Sequence, residues 1–260
     1  VTGAALGRTM IEIDGAGPAI VFVHGLGATS NSFQALLDAL GGFRCIRPDL
    51  PGSGRSPRPF AALTMDDFVE TIAGVVRTVA GGPAHLVGHS MGTLLCLRLA
   101  AERPELVDSL SLFGPIVEPS EAARERLRDR ARAARQDGMI GVADAATAAG
   151  LASASKSANP LLAPFVRESH MRQDPEGFAQ SCEALAQARG ADPRFLRCPT
   201  LIVTGDEDAV APPGAARALA DKVKGSKLRV LDHCGHWTPL ERPLDCARLL
   251  SDHVRARQAA

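Results

Sequence analysis

Gly88-His89-Ser90-Met91-Gly92 fits the pattern G-x-S-x-G and sits where a strand hands over to a helix. The apolar run Ala84, Leu86, Val87 precedes it, and a helix-like stretch over 94–101 follows. In such a strand, tight turn and helix, the glycines let the backbone turn sharply and leave the serine hydroxyl exposed at the sheet edge. Five residues alone also describe a solvated turn. The reading therefore rests on whether the rest of the chain supplies partners for Ser90.

Outward from the elbow, short β-rich runs alternate with helical ones. The pattern predicts strands over 9–13, 20–24, 44–48, 85–88 and 106–113, with helices near 33–40, 65–79 and 91–102. After Gly114-Pro115 the alternation stops. From Glu118 to about Arg189 the chain is rich in alanine, arginine and glutamate at helical spacing, broken at Asp137-Gly138, Asn159-Pro160 and Asp174-Pro175. Alternation returns with a strand over 200–204, a helix over 214–223, a strand over 227–231 and a closing helix over 241–257. The expected architecture is α/β, a mainly parallel sheet covered by helices on both faces. Residues 1–114 and 196–260 form its core and 115–195 a helical insertion. Ligands bind such sheets at the carboxyl ends of the strands.

A chain of 260 residues can bury a full core. Its 29 basic and 29 acidic residues cancel, so nothing favours nucleic acid or an anionic membrane surface as a partner. The expected partner is a small molecule, and no oligomeric state is read from the chain. Arg124, Arg126, Arg128, Arg130, Arg132 and Arg135 form a basic run, but Glu121, Glu125 and Asp129 lie among them at i, i+3 and i+4 spacings, as on a solvated helix. The six cysteines are scattered with no C-x-x-C pair, several in apolar runs, the pattern of reduced core thiols, and a cytoplasmic setting is expected. The first eight residues lack the basic start and apolar run of a signal peptide, and no stretch approaches the length of a membrane span.

A serine at its free pKa is a poor nucleophile, so Ser90 needs a base, and the base needs a partner that fixes its tautomer. Of seven histidines, His233 and His236 lie in Asp232-His233-Cys234-Gly235-His236-Trp237, a loop past the last strand that reaches the sheet edge of Ser90. His236, beside the flexible Gly235, is the leading candidate, with His233 second. A zinc pair at these two histidines lacks a third ligand of suitable spacing. The acid belongs between serine and histidine in chain order. Asp208 in Gly205-Asp206-Glu207-Asp208 is favoured over Asp206, which stands close enough to the glycine to serve the turn; Glu118 is the reserve. Two backbone N–H donors should face the developing oxyanion, Met91 after the nucleophile and Leu26 in His24-Gly25-Leu26-Gly27. That loop is a poor dinucleotide fingerprint, because the third glycine is missing. No metal or organic cofactor is implied.

His24-Gly25-Leu26-Gly27, Asp49-Leu50-Pro51-Gly52-Ser53-Gly54-Arg55-Ser56, the elbow at Ser90, Gly205 with Asp208, and Gly235-His236 with Glu241-Arg242-Pro243 together resemble the α/β-hydrolase superfamily. The resemblance covers nearly the whole chain outside the insertion. It implies a triad of Ser90, Asp208 and His236, oxyanion donors at Leu26 and Met91, and a lid made by the insertion. Asp174-Pro175-Glu176-Gly177-Phe178 with Cys182 resembles the lid of the 3-oxoadipate enol-lactonase-like group, which includes small carboxylesterases. Haloalkane dehalogenase relatives carry aspartate where this chain has Ser90. Asp49 and residues 52–56 read as a structural turn.

The expected chemistry is hydrolysis of an ester or lactone through an acyl-enzyme. Competing expectations are carbon–carbon cleavage of a ring-cleavage diketone and a ligand-binding protein of low turnover. Arg167, His170 and Arg172 could hold a substrate carboxylate or simply be solvated helix charges; Trp237 could wall the pocket or belong to the core. Trp237, Val210 and Arg172 are the candidate substrate-binding residues.

Overall fold

The computed structural model describes residues 2–258. Val1, Ala259 and Ala260, which the sequence assigns to the two core segments, lie outside the described residues. Eight strands form one sheet: β1 (Thr2–Leu6), β2 (Thr9–Gly15), β3 (Ala19–Val23), β4 (Arg44–Pro48), β5 (Ala84–His89), β6 (Val107–Phe113), β7 (Thr200–Gly205) and β8 (Lys227–Leu231). Their order is β1-β2-β4-β3-β5-β6-β7-β8, with β1 and β2 antiparallel to their neighbours and the rest parallel. The core strands β3, β5 and β7 are buried along their whole length, as a sheet covered on both faces requires.

Alternation along these strands sorts their side chains between two cores. Val21, Val23, Leu86, Leu110 and Ile202 face a cluster built with α1 (Met65–Gly74), α2 (Met91–Glu102) and, further along, residues 216–223. Ile20, Phe22, Val87, Leu201 and Val203 face Phe33, Leu36 and Leu40 of a 3₁₀ segment (Ser30–Leu40) and the C-terminal helix described below. Between β6 and β7 run α3 (Glu121–Asp137), α4 (Met139–Gly150), α5 (Ser153–Ala158), α6 (Leu162–Met171) and α7 (Pro175–Gln187). After β7 come α8 (Pro213–Lys222), the single turn α9 (Thr238–Glu241) and α10 (Pro243–Gln258). α3 packs on α7 and α4 on α6. Ala28, Leu151, Leu162, Val166 and Trp237 form a third cluster, which seals the inserted helices to the sheet edge.

The basic run divides by position. Arg128, Arg132 and Arg135 make surface ion pairs, Arg135 bridging α3 to Glu176 and Glu183 of α7. Arg124 instead is buried and donates to the carbonyls of Ala186 and Ala188, closing the exit of the insertion. Glu118, the reserve acid, is engaged there as well, accepting from Arg124, Arg189 and the Gly190 N–H.

Several elements differ from the sequence pattern for local reasons. β1 lacks β-branched alternation and is a strand because the turn at Gly7 (φ 59°) folds it onto β2. The helix expected over 65–79 is α-helical only to Gly74 and continues as a π turn, Val75–Ala80. The closing helix starts at Pro243, since proline suits a first helical turn and not an interior. All six cysteines are free, with only Cys198 less than buried. Among the described residues no helix is long and apolar enough to cross a membrane.

Candidate active site

Ser90 stands between β5 and α2 with φ 54° and ψ −121°, a conformation rarely held by a residue with a side chain and costing of order 1–3 kcal/mol. Its surroundings enforce it. The Ser90 N–H donates to Phe113 O at 3.0 Å, and Thr93 Oγ1 donates to Ser90 O at 2.6 Å while accepting from the Ile116 N–H at 2.8 Å. α2 begins so close to β3 that a Cβ on Gly92 would collide with the Val23 carbonyl, so only glycine fits there.

His236 arrives on the loop after β8 and Asp208 on the loop after β7. His236 Nε2 lies 2.8 Å from Ser90 Oγ, and His236 Nδ1 lies 2.9 Å from Asp208 Oδ2. An ionised carboxylate only accepts, so Nδ1 carries the proton and Nε2 offers its lone pair to the serine hydroxyl. The other Asp208 oxygen accepts from the N–H groups of Val210 (2.9 Å) and Ala211 (2.7 Å), which fixes the carboxylate plane. All three side chains are buried. Asp206 serves its turn, accepting from the Cys234 N–H at 3.0 Å and so pinning the histidine loop. His233 is exposed, with Glu207 at 3.8 Å.

Met91 is the first residue of α2, where N–H groups have no acceptor within the helix. Leu26 lies inside a turn closed by the Ala28 N–H to Gly25 O (3.2 Å), which leaves the Leu26 N–H out of the turn's own bonding. Two histidines that the sequence reading passed over position these loops. Buried His24 donates from Nδ1 to Gly25 O at 2.8 Å and accepts the Leu50 N–H at Nε2 (2.9 Å). Burial lowers its pKa, which keeps the ring neutral as this pairing demands. His89 turns away from Ser90, as a tight turn requires, and donates from Nε2 to the carbonyl of His236 itself (2.9 Å). Its ring lies between those of His236 and Trp237, with centroids 5.1 and 5.0 Å away, and burial pushes its pKa down to about 3. The signal for both was present as histidines adjoining the two glycine-rich motifs.

The inserted helices touch this site over residues 150–155 and again through α6 and the turn after it. Ser169 Oγ donates to Gly27 O (2.9 Å), Gln173 Oε1 accepts from the Gly54 N–H (3.3 Å), and the His170 ring rests directly on Gly27, whose φ of 72° and missing Cβ admit it. His170 donates from Nδ1 to Val166 O (2.9 Å), and burial lowers its pKa. Trp237 packs edge-on to His170 at 5.8 Å. Of the three side chains of the insertion proposed for a carboxylate, only His170 faces inward. Arg167 pairs with Asp144 at 2.6 Å, and the Arg172 side chain is 77% exposed with Glu168 at 4.0 Å, outside the buried cluster. Val210 is partly exposed and meets the site through its N–H to Asp208.

The sequence profile of the alpha/beta hydrolase fold matches residues 18–243. The chain belongs to this family. A 2-hydroxymuconate semialdehyde hydrolase from Pseudomonas sp. (strain CF600) is 30% identical over 273 aligned residues, spanning 97% of this chain and 92% of the relative. A thermophilic esterase from Thermogutta terrifontis, solved with malate bound, has a TM-score of 0.91 at 26% identity over 96% of this chain and 93% of its own. The enol-lactonase from Burkholderia xenovorans LB400 has a TM-score of 0.88 at 27% identity, covering 98% of this chain and all of that one. This alpha/beta hydrolase is therefore similar both to esterases and lactonases and to a hydrolase of a different named substrate, and hydrolysis of a small molecule is their common ground.

Proposed function

We propose that this hydrolase cleaves a carboxylic ester or lactone through an acyl-enzyme on Ser90. The observation that carries the reading is the hydrogen-bonded series from Ser90 Oγ through His236 to Asp208, on a strained elbow. In this reading His236 takes the Ser90 proton as the hydroxyl attacks the carbonyl, and Asp208 steadies the imidazolium that forms. The N–H groups of Leu26 and Met91 receive the oxyanion. His236 then hands its proton to the departing alkoxide; next it takes one from the water that attacks the acyl-enzyme and returns it to Ser90 Oγ as the acid product leaves. The five inserted helices act as a cap over residues 115–195. Trp237, packed against His89 and His170, is the proposed wall of the substrate pocket, with Val210 and Arg172 as the further proposed substrate-binding residues. The likeness to the esterase and the enol-lactonase supports this assignment. The six free cysteines support a reducing, cytoplasmic setting.

A second reading, hydrolysis of a carbon–carbon bond in a ring-cleavage diketone, is favoured by the identity with the semialdehyde hydrolase. Initial rates on a short-chain p-nitrophenyl ester, a carboxylate-bearing enol-lactone and a vinylogous diketone separate the two. Turnover of ester or lactone upholds the first reading. Turnover of the diketone alone replaces it with the second.

A further inference from the structure

The backbone of His236 is held from three directions. Its N–H donates to Gly150 O on the cap (2.8 Å), and its carbonyl accepts from His89 on the elbow (2.9 Å). The N–H groups on either side of it, those of Gly235 (2.9 Å) and Trp237 (3.0 Å), converge on the two carboxylate oxygens of Glu241. The oxygen that takes Gly235 also takes the N–H of Ala152 on the cap, at 3.0 Å. Glu241 is buried, and three amide N–H groups meet its charge. The adjacent Arg242 guanidinium is directed at the carbonyls of Asp232, His233 and Glu241. One carboxylate thus joins the loop of the proposed base to residues 150–152, the connection between α4 and α5. If that connection lifts, Glu241 loses a donor and His236 loses the acceptor of its own N–H in the same movement.

We propose, resting on the reading of His236 as base, that Glu241 is a positioning residue that keeps His236 aligned with Ser90 only while residues 150–152 of the cap are seated on it. A cap displaced at this end, by too large a substrate or in product release, would disarm the base. Of the other cap contacts, Ser155 Oγ donates to the His233 carbonyl in the same histidine loop (3.3 Å), Gln173 reaches the Gly54 N–H, and Ser169 and His170 reach Gly27 on the proposed oxyanion loop, so α5 and α6 bear on different parts of the chemistry.

Glu241→Gln keeps the volume but turns an amide donor toward at least one of the three N–H groups. The expected result is a fall in kcat of roughly 10- to 100-fold, the scale of a small misplacement of a reacting group, with KM changed less than about threefold. The downfield proton resonance of the His236 Nδ1–H, identified by its loss in His236→Ala, should shift or broaden. In the wild type, the amides of Ala152, Gly235 and Trp237 should exchange with solvent as one group once corrected for intrinsic rates. Wild-type kcat in folded Glu241→Gln with an unmoved imidazole signal overturns the proposal. So does an Ala152 amide exchanging more than about tenfold faster than the other two, and this measurement decides alone if the variant does not fold. Full turnover by His236→Ala would instead defeat the reading of the base, and amide exchange would still judge whether Glu241 ties the cap to the loop.

Discussion

At Ser90 a strained backbone and a paired hydroxyl meet in one residue, and the two serve one end. The positive φ aims Oγ out of the turn, and His236 Nε2 is in place to receive its proton. If the three side chains act as a unit, Ser90→Ala lowers kcat by roughly six orders of magnitude, measured on whichever substrate class turns over. A loss under about tenfold would remove Ser90 from the nucleophile role. Asp208→Asn tests the tautomer. An amide facing Nδ1 can donate to it and leave the proton on Nε2, where it blocks acceptance from the serine; by comparison with the serine proteases kcat should fall about 10⁴-fold. Retention of activity would mean that Asp208 only holds the Val210 and Ala211 N–H groups.

At the scale of elements, the site depends on how closely α2 and β3 approach. Gly92 faces the Val23 carbonyl with no space for a side chain, and His24, next to Val23, orients the loop of the proposed oxyanion donor Leu26. Gly92→Ala should therefore push the helix from the sheet, costing more than about 2 kcal/mol in urea unfolding, because a forced backbone shift in a packed core ranks among the larger effects of single substitutions. It should also lower kcat, since Met91 and Leu26 would separate. A change within about 0.5 kcal/mol would show that the contact yields. The elements themselves were largely legible. β4, β8 and α2 fall on their expected ranges, as apolar runs bounded by turn residues and a strong helical stretch dictate. The break over 150–152 carried one weak signal, Gly150 at the helix end. Leu151-Ala152 carries neither proline nor a polar cap, and the chain leaves the helix there because Gly150 O and the Ala152 N–H find partners in the histidine loop.

Over the whole molecule, five of the seven histidines, His24, His85, His89, His170 and His253, are buried and have pKa values lowered by that burial. Each takes up a proton more readily unfolded than folded. Their stabilisation is complete above the unfolded value of 6.5 and is lost as pH falls toward the folded one. For His89, with a folded value of about 3, the loss from pH 6.5 to 5 is about 2 kcal/mol. Glu176 and Asp192, held at about 2 by Arg135 and Arg194 respectively, stay ionised across this window and contribute to acid unfolding only below about pH 4.5. The melting temperature should thus decline between pH 6.5 and 5, and less steeply in His89→Phe than in wild type. A flat profile over that range would contradict the neutral buried rings.

The sequence by itself determined seven of the sheet's eight strands, all but β1, and the identities of Ser90, Asp208 and His236 as candidates, because strand alternation, turn glycines and chain order are local or one-dimensional signals. The tertiary structure alone decided which side chains stand behind them. His24, His89 and Glu241 act on residues brought near by the fold, His89 on a carbonyl 147 residues away, and Glu241 on an N–H 89 residues away in the cap. It also decided which side chains of the insertion turn inward. Arg167, His170 and Arg172 share one helical stretch and one polar character, and only packing on Gly27 and Trp237 selects His170 among them. A hydrogen bond between distant segments leaves no periodic trace in either, so these partners emerge only once the chain is folded.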